Sequence, residues 1–307
     1  MSTAATLAAS ASRDRLRALL GLTEETPDGA RLAPRRDERT PDGAASVEIR
    51  VPGEEAPVPA FLLRPEPARA SGAAVVLVAG HGRGIDDLVE PDGYHDALAR
   101  KLVAAGMTVL CPEMISFGRR RFARPGGAVP EDPAESTCGI DAARHLLHGA
   151  PVMGARVADA RAAAQVLRTL PGVDPQRVGV AGGSGGGAVA LLLAAVDPSI
   201  TASLVATYFS SFAASIASIR HCPCNIVPGL LPELEMADIA ALIAPRPLVI
   251  EAGEQDPIFP IRATREAFAA LAPAWEATGG PAPQLVVEEG GHAFRGARSL
   301  ELLAARL

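Results

Sequence analysis

From residue 73 onward, short apolar runs alternate with longer segments that mix apolar and polar positions. Residues 73–79 form a continuously apolar run, which is typical of a parallel strand buried on both faces. Similar runs predict further strands at 107–111, 177–181, 202–208, 247–252 and 284–288. The segments between them predict helices at 94–105, 151–170, 188–196 and 261–271. This alternation predicts an α/β fold with a doubly wound, mostly parallel sheet and helices on both of its faces.

The chain before residue 73 has a different pattern. Residues 10–22 predict a helix, and residues 23–45 form a polar connection that contains Pro and Gly. Residues 46–51 and 58–63 alternate in the manner of two antiparallel strands. We therefore expect an N-terminal helical arm and linker at 1–45, which could pack on the main domain or on a partner subunit. The α/β domain is expected at 46–307, with a small lid or insertion at 117–150.

Length and composition limit the classes of protein that this chain can be. The chain has 307 residues, of which 48% are hydrophobic, and this is enough for one large core without disulfides or a structural metal. A net charge of −6 gives no electrostatic basis for binding nucleic acid or an anionic membrane. The sequence has neither a signal peptide's apolar block nor an apolar run long enough to span a bilayer, so we expect a cytoplasmic protein. A homo-oligomer stays open.

A glycine-rich turn joins the strand at 177–181 to the helix at 188–196. Its sequence is Gly182-Gly183-Ser184-Gly185-Gly186, which is a Gly-x-Ser-x-Gly motif. A serine on such a tight turn has its hydroxyl exposed in the cleft, and the two outer glycines leave room where strand and helix approach each other. The alternative is a glycine-rich phosphate loop, but the turn follows a late strand and has no lysine. We interpret Ser184 as a nucleophile.

A serine nucleophile needs a base and an acid, which in this kind of enzyme follow it in the chain in the order acid, then histidine. His292 lies between two strand-end glycines and Ala293, directly after the last predicted strand, and is our candidate base. Asp256 lies in the loop after the strand at 247–252 and is our candidate acid. Glu251 and Glu254 are the alternatives for the acid.

The tetrahedral intermediate of acyl transfer needs two hydrogen-bond donors for its oxyanion. The residue after the nucleophile, Gly185, should supply one backbone N–H. The second should come from the loop after the strand at 73–79, and we assign it to the backbone N–H of Arg83. His81 in the same loop is expected to hold the loop or to line the substrate pocket.

Other residues near strand ends are candidates for substrate contact. These are Phe117, Phe259 and Cys222. Phe117 lies in the arginine-rich stretch 113–121, and Phe259 lies in the same loop as Asp256. The arginines of that stretch could bind an acidic or sugar substrate, or form a solvated charged surface. Cys222 and Cys224 with the adjacent His221 do not have the spacing of a structural zinc site, and Cys111 and Cys138 are distant in sequence. We therefore expect reduced thiols and no metal.

Together these motifs resemble the α/β-hydrolase superfamily, over residues 46–307. The chain is most similar to its dienelactone hydrolase and acetyl xylan esterase-like branch. Asp174-Pro-Gln-Arg177-Val-Gly before the nucleophile turn is typical of that branch, as is Gly253-x-x-Asp256 followed by Pro260. The best-known dienelactone hydrolases have a cysteine where this chain has Ser184, and acetyl xylan esterases often have Ser-Gln-Gly-Gly where it has Ser-Gly-Gly-Gly.

The resemblance implies carboxylic ester hydrolysis through an acyl-enzyme, without a cofactor. We expect a carboxylesterase or deacetylase that acts on a small ester or on an acetylated carbohydrate. The few aromatic residues, 4% of the chain, argue against a broad platform for stacking a polysaccharide. A serine peptidase or amidase of the same fold is the alternative, followed by a binding protein that has the fold but no catalytic activity.

Overall fold

Nine strands of the described residues form one sheet in the computed structural model, which describes residues 3–22, 29–37, 40–91, 95–122, 129–231 and 233–307. The strands are β1 (Arg31–Pro34), β2 (Ala44–Arg50), β3 (Val58–Leu63), β4 (Ala74–Val78), β5 (Thr108–Pro112), β6 (Val178–Gly183), β7 (Ser203–Ala206), β8 (Leu248–Gly253) and β9 (Gln284–Glu288). Their spatial order is β1-β2-β3-β5-β4-β6-β7-β8-β9. The pairs β1–β2, β2–β3 and β3–β5 are antiparallel, and every later pair is parallel. The predicted mostly parallel sheet is therefore confirmed.

Helices cover both faces of this sheet. They are α1 (Thr3–Leu20), α2 (Asp86–Val89), α3 (Leu98–Ala104), α4 (Cys138–Leu147), α5 (Val152–Thr169), α6 (Gly185–Val196), α7 (Met236–Ala241), α8 (Ile261–Ala269), α9 (Ala272–Thr278) and α10 (Ala297–Ala304). No helix of the described residues is both long and apolar enough to cross a membrane.

The central strand β4 shows why its sequence is continuously apolar. All five of its residues are buried. Val76 and Val78 belong to the core on the face covered by α5 and α6, whereas Val75 and Leu77 belong to the core on the opposite face, with α3 and α10. Because successive side chains of a strand point to opposite faces, burial on both faces requires apolar residues throughout.

The N-terminal arm packs on the domain in this structure. Leu16 and Leu20 of α1 are buried in the core. Arg13 and Arg17 donate hydrogen bonds to the carbonyl oxygens of Ala195 and Val196, at the carboxyl end of α6. The segment 23–45, which we expected to be a linker, contains the edge strand β1 and the first residues of β2, so the sheet begins earlier than predicted.

The segment 117–150, predicted as a lid or insertion, contains α4, which contacts α5. Residues 123–128 of that segment lie outside the described residues, as does Tyr94 at the start of the helix predicted at 94–105. Five helices that the sequence pattern did not predict are α2, α4, α7, α9 and α10.

Candidate active site

Ser184 lies at the carboxyl end of β6, on the turn that leads directly into α6. Its φ is 55° and its ψ is −119°, a positive-φ backbone conformation that residues other than glycine rarely adopt. The conformation is held by its own N–H, which donates to Ala206 O at 2.9 Å and to Thr207 Oγ1 at 3.1 Å. Strain that is held by its surroundings in this way is typical of a functional position.

The glycines on either side make this turn sterically possible. A Cβ on Gly182 would lie 2.3 Å from the carbonyl oxygen of Gly186, and a Cβ on Gly186 would lie 2.1 Å from Val78 O. Both distances are far below contact distance, so neither residue can carry a side chain without moving α6 away from the sheet. The steric reason expected for the outer glycines of the motif is thus confirmed.

The structure brings Ser184, His292 and Asp256 into one chain of hydrogen bonds. The Oγ of Ser184 lies 2.9 Å from His292 Nε2, and His292 Nδ1 lies 2.8 Å from Asp256 Oδ2. Asp256 is only 5% exposed, and its other oxygen, Oδ1, accepts the N–H groups of Ile258 at 2.8 Å and of Phe259. An aspartate held by backbone donors can fix the orientation and the tautomer of the imidazole.

The loops that carry the acid and the histidine are tied to each other. Gln255 N donates to Gly290 O, and Gly290 N donates to Gln255 Oε1, both at 2.8 Å. The ring of Phe259 stacks on His292, with 5.8 Å between the ring centroids. Phe259 is 2% exposed, so it supports the imidazole. We had expected it to contact the substrate, but it offers no free surface.

The two alternative acids lie elsewhere. Glu251 is buried beneath the histidine loop, where it accepts N–H groups from Arg295 at 2.6 Å and Gly296 at 3.1 Å, together with the Ser299 hydroxyl. Burial raises the pKa of Glu251, although these hydrogen bonds oppose the effect. Glu254 is exposed and lies 3.4 Å from Arg265. Glu251 therefore anchors the segment that follows His292, a role that its sequence context did not indicate.

The loop after β4 is arranged differently from our expectation. The backbone N–H of Arg83 donates to Asp87 Oδ2 at 2.7 Å, and its guanidinium binds Asp87 Oδ1 and Glu90. Because this N–H is bound to the carboxylate of Asp87, the structure does not support the assignment of Arg83 N–H as an oxyanion donor. The amide of His81 is better placed, because its nitrogen lies 3.9 Å from the position that a Cβ on Gly185 would occupy.

A buried histidine that sequence reasoning missed supports this loop from behind. His95 is 1% exposed, and its Nε2 accepts the N–H of Gly80 at 2.9 Å. Its ring packs edge-on against Phe294, in the histidine loop. Burial lowers the pKa of His95 to about 4, so the ring is neutral near pH 7 and Nε2 can accept a hydrogen bond. A lone histidine between two loops gives no sequence signal for this position.

Two side chains of the stretch 113–121, those of Phe117 and Arg119, are enclosed by the protein. Arg119 is buried and pairs with Asp37, with Asp86 at 3.0 Å and with Glu113 at 3.4 Å. Burial raises the pKa of Glu113 to about 7, against the opposing effect of Arg119. Phe117 is completely buried, with its ring 5.1 Å from that of His81, so its assignment to substrate binding was wrong.

His81 and the cysteines form a second group of polar side chains beside the serine. The ligand atoms of His81, Cys138, Cys222 and Cys224 all lie within 4.8 Å of one another. Cys222 is half-buried, and the cysteines are free thiols. The sequence separation of Cys138, which was our reason for setting a metal site aside, is thus bridged by the fold.

Comparison with known proteins gives the family. The profile of the dienelactone hydrolase family matches residues 58–298 of the chain. The chain belongs to the dienelactone hydrolase family. The sequence is also similar to YtaP of Bacillus subtilis (strain 168), which is named as a hydrolase, with 27% identity over 259 residues that cover 80% of this chain and 82% of YtaP. As a member of this family, the protein is a hydrolase.

Solved structures agree on the fold of this dienelactone hydrolase family member. A protein described as an acetyl xylan esterase from Bacteroides fragilis NCTC 9343 aligns with a TM-score of 0.73 and 15% identity, covering 91% of this chain and 74% of that one. A glucuronoyl esterase from Solibacter usitatus aligns with a TM-score of 0.67 and 18% identity, covering 96% and 91%. At these identities the likeness establishes the α/β-hydrolase fold.

Proposed function

We propose that the protein is a serine esterase, which hydrolyses carboxylic esters through an acyl-enzyme on Ser184. The observation that carries the proposal is the hydrogen-bonded chain from Ser184 Oγ through His292 to Asp256, with separations of 2.9 and 2.8 Å. His292 takes the proton of the hydroxyl as Oγ attacks the ester carbonyl, and then gives it to the departing alcohol. In the second half of the reaction His292 takes a proton from the water that attacks the acyl group, and returns it to Ser184 Oγ as the bond between the acyl carbon and Oγ breaks and the carboxylic acid leaves.

The backbone of two loops would stabilise the oxyanion that forms in each half-reaction. Gly185 N is at the amino terminus of α6, where free N–H groups point towards the turn. The amide of His81 lies next to it, and neither N–H donates to another residue among those described. One such donor contributes about 3–4 kcal/mol to the stabilisation of the transition state, and general-base catalysis adds about 10²- to 10⁴-fold in rate.

The structural neighbours and the composition support the proposed substrate class. The structural neighbours include proteins described as an acetyl xylan esterase and as glucuronoyl esterases, and all of these names denote esters of carbohydrates. Aromatic residues make up 4% of this chain, and Phe117 and Phe259, the two phenylalanines that the sequence suggested for substrate contact, are buried. A small soluble ester or a short acetylated oligosaccharide therefore fits the chain better than a long polysaccharide does.

The test compares the wild type with Ser184→Ala on p-nitrophenyl acetate, acetylated sugars and aminoacyl amides. We expect the wild type to hydrolyse the esters and the variant to lose at least about 10³-fold in kcat. A fluorophosphonate probe should label the wild type at Ser184 and leave the variant unlabelled. Equal ester hydrolysis by both proteins would refute the mechanism, and hydrolysis restricted to the amides would establish a peptidase or amidase instead.

A further inference from the structure

We propose that His81, Cys138, Cys222 and Cys224 bind one Zn²⁺ ion in a closed structural site next to the active site. Three thiols and one imidazole are a ligand set that tetrahedral zinc prefers. No other group of three or more metal-binding side chains with this proximity occurs among the described residues. The proposal concerns metal binding and is independent of the esterase reaction.

The separations of the four ligand atoms fit such an ion. Zinc binds sulfur at about 2.3 Å and nitrogen at about 2.0 Å, so the edges of the tetrahedron are about 3.5–3.8 Å long. The ligand atoms all lie within 4.8 Å of one another, and His81 Nε2 lies 3.3 Å from Cys224 Sγ. Displacements of the ligand atoms by about 1 Å would bring all of them to the distances of a tetrahedron around zinc.

The ligands come from three segments that are far apart in the sequence. His81 is in the loop after β4, Cys138 is the first residue of α4, and Cys222 and Cys224 flank Pro223 in the long connection after β7. A metal would join these segments at a place where the connections have little regular structure. Four protein ligands leave no open position, so the ion would hold these loops together rather than activate a water molecule.

A buried arginine supplies an independent observation that an anionic centre belongs here. Arg156 is 1% exposed, and its Nη2 donates to Cys138 Sγ at 3.1 Å and to Ile115 O at 2.9 Å. Nη2 also lies 3.3 Å from Ser116 Oγ, and the guanidinium lies over the ring of Phe117, 5.0 Å from its centroid. Its Nε and Nη1 have no hydrogen-bond partner among the described residues, and none of these contacts supplies a negative charge. A buried guanidinium is costly unless an anion compensates it.

Zinc would provide that compensation. Three thiolates and one neutral imidazole around Zn²⁺ carry a net charge of −1, which matches the single positive charge of Arg156. The amide nitrogen of Asn225 lies 3.4 Å from Cys224 Sγ and is positioned to donate to a thiolate. Hydrogen bonds of this kind from surrounding residues orient and stabilise metal-bound ligands.

The site also has a consequence for ester hydrolysis, and this consequence alone rests on the proposed function. The Nε2 of His81 faces Cys224, whereas its Nδ1 would lie 2.9 Å from a Cβ on Gly185. An ion on Nε2 would therefore fix the residue whose backbone amide we assign to the oxyanion. Metal removal should lower kcat by about 10- to 10³-fold, while KM changes little. The upper value corresponds to the complete loss of one oxyanion donor.

The test is the metal content of protein purified under reducing conditions, measured by mass spectrometry of the dissolved metals. We expect one zinc per chain in the wild type and in Ser184→Ala, so that the result does not depend on esterase activity. Cys222→Ser and His81→Asn should lose most of the metal. Two matched controls, Cys111→Ser in strand β5 and His221→Asn beside the site, should keep it.

A second measurement covers the case in which the ligand variants fail to fold. A mercurial reagent added to folded wild type should release zinc, detected with a chelating dye, as three thiols react. Replacement of zinc by Co²⁺ should give thiolate-to-metal charge-transfer absorption. The proposal is overturned if the wild type remains metal-free after dialysis against Zn²⁺, if the purified protein holds a disulfide between Cys138 and Cys222 or Cys224, or if the controls lose as much metal as the ligand variants.

Discussion

Acid should destabilise the protein through one buried histidine, His95. Its Nε2 accepts the N–H of Gly80, and its ring is 1% exposed. Protonation of Nε2 would remove that hydrogen bond and leave two donors facing each other, in addition to burying a charge. Burial is the largest cause that lowers the pKa of His95, to about 4, whereas an unfolded chain has the ordinary value of 6.5.

The sign and size of the effect follow from these two pKa values. Between pH 6.5 and pH 4 the unfolded state binds a proton that the folded state does not, so the free energy of unfolding falls as the pH falls. The slope for one proton is about 1.4 kcal/mol per pH unit, and the total is about 3 kcal/mol. The stabilisation is complete above pH 6.5 and is lost as the pH approaches 4.

The assay is urea denaturation, followed by circular dichroism, at several values between pH 7 and pH 4.5. His95→Gln keeps an acceptor for Gly80 N–H but does not titrate. The slope of its free energy of unfolding against pH should therefore be smaller than that of the wild type by the contribution of one proton, about 1.4 kcal/mol per pH unit. Other groups titrate in both proteins and cancel in the difference. His148→Gln, at an exposed position on the surface, is the matched control and should follow the wild type. Parallel curves for the wild type and His95→Gln would refute the reasoning.

Two further predictions concern the nucleophile turn and its partners. Asp256→Asn should reduce kcat on esters by up to about 10⁴-fold with little change in KM, because the amide no longer fixes the tautomer of His292. An unchanged kcat in steady-state assays of ester hydrolysis would exclude Asp256 from the mechanism. Gly186→Ala should lower the free energy of unfolding by at least about 1–3 kcal/mol in urea titrations, since its Cβ would lie 2.1 Å from Val78 O. Gly139→Ala, whose Cβ meets nothing within 4 Å, should be neutral or stabilising by up to about 1 kcal/mol, and equal losses in both variants would contradict the steric argument.

The parts of the fold that the sequence predicted are those where a local pattern reflects burial directly. Strand β4 is buried on both faces, so its five residues are all apolar and the strand is visible without further information. Strand β1 has only four residues, includes Pro34 and has two residues exposed, so nothing in its local pattern distinguishes it from a polar connection. Its pairing with β2 is a tertiary interaction.

The candidate site divides in the same way. Ser184, Asp256 and His292 each follow a predicted strand, and in a parallel sheet the carboxyl ends of the strands meet along one edge, so their proximity could be predicted. The donor assigned to Arg83 failed because its N–H is taken by the side chain of Asp87. No pattern of residue types shows which amide of a loop is free.

The thiol and imidazole group was missed for a different reason. Known zinc motifs place their ligands as close pairs, and Cys222 with Cys224 looks like an incomplete pair next to His221. The structure instead selects His81 and Cys138, which come from other loops. Convergence of distant loops depends on the whole sheet, and this information is spread over the entire chain.

The docking of α1 has a consequence for synthesis on the ribosome. Arg13 and Arg17 bind carbonyl groups of α6 that are 182 and 179 residues further along the chain. At about 5–20 residues per second, α6 is translated about 10–40 s after α1. During that interval Leu16 and Leu20, which are buried in the native protein, have no native partner. Helix α1 therefore cannot reach its native position until α6 has been translated, and its apolar face stays exposed on the nascent chain during that interval.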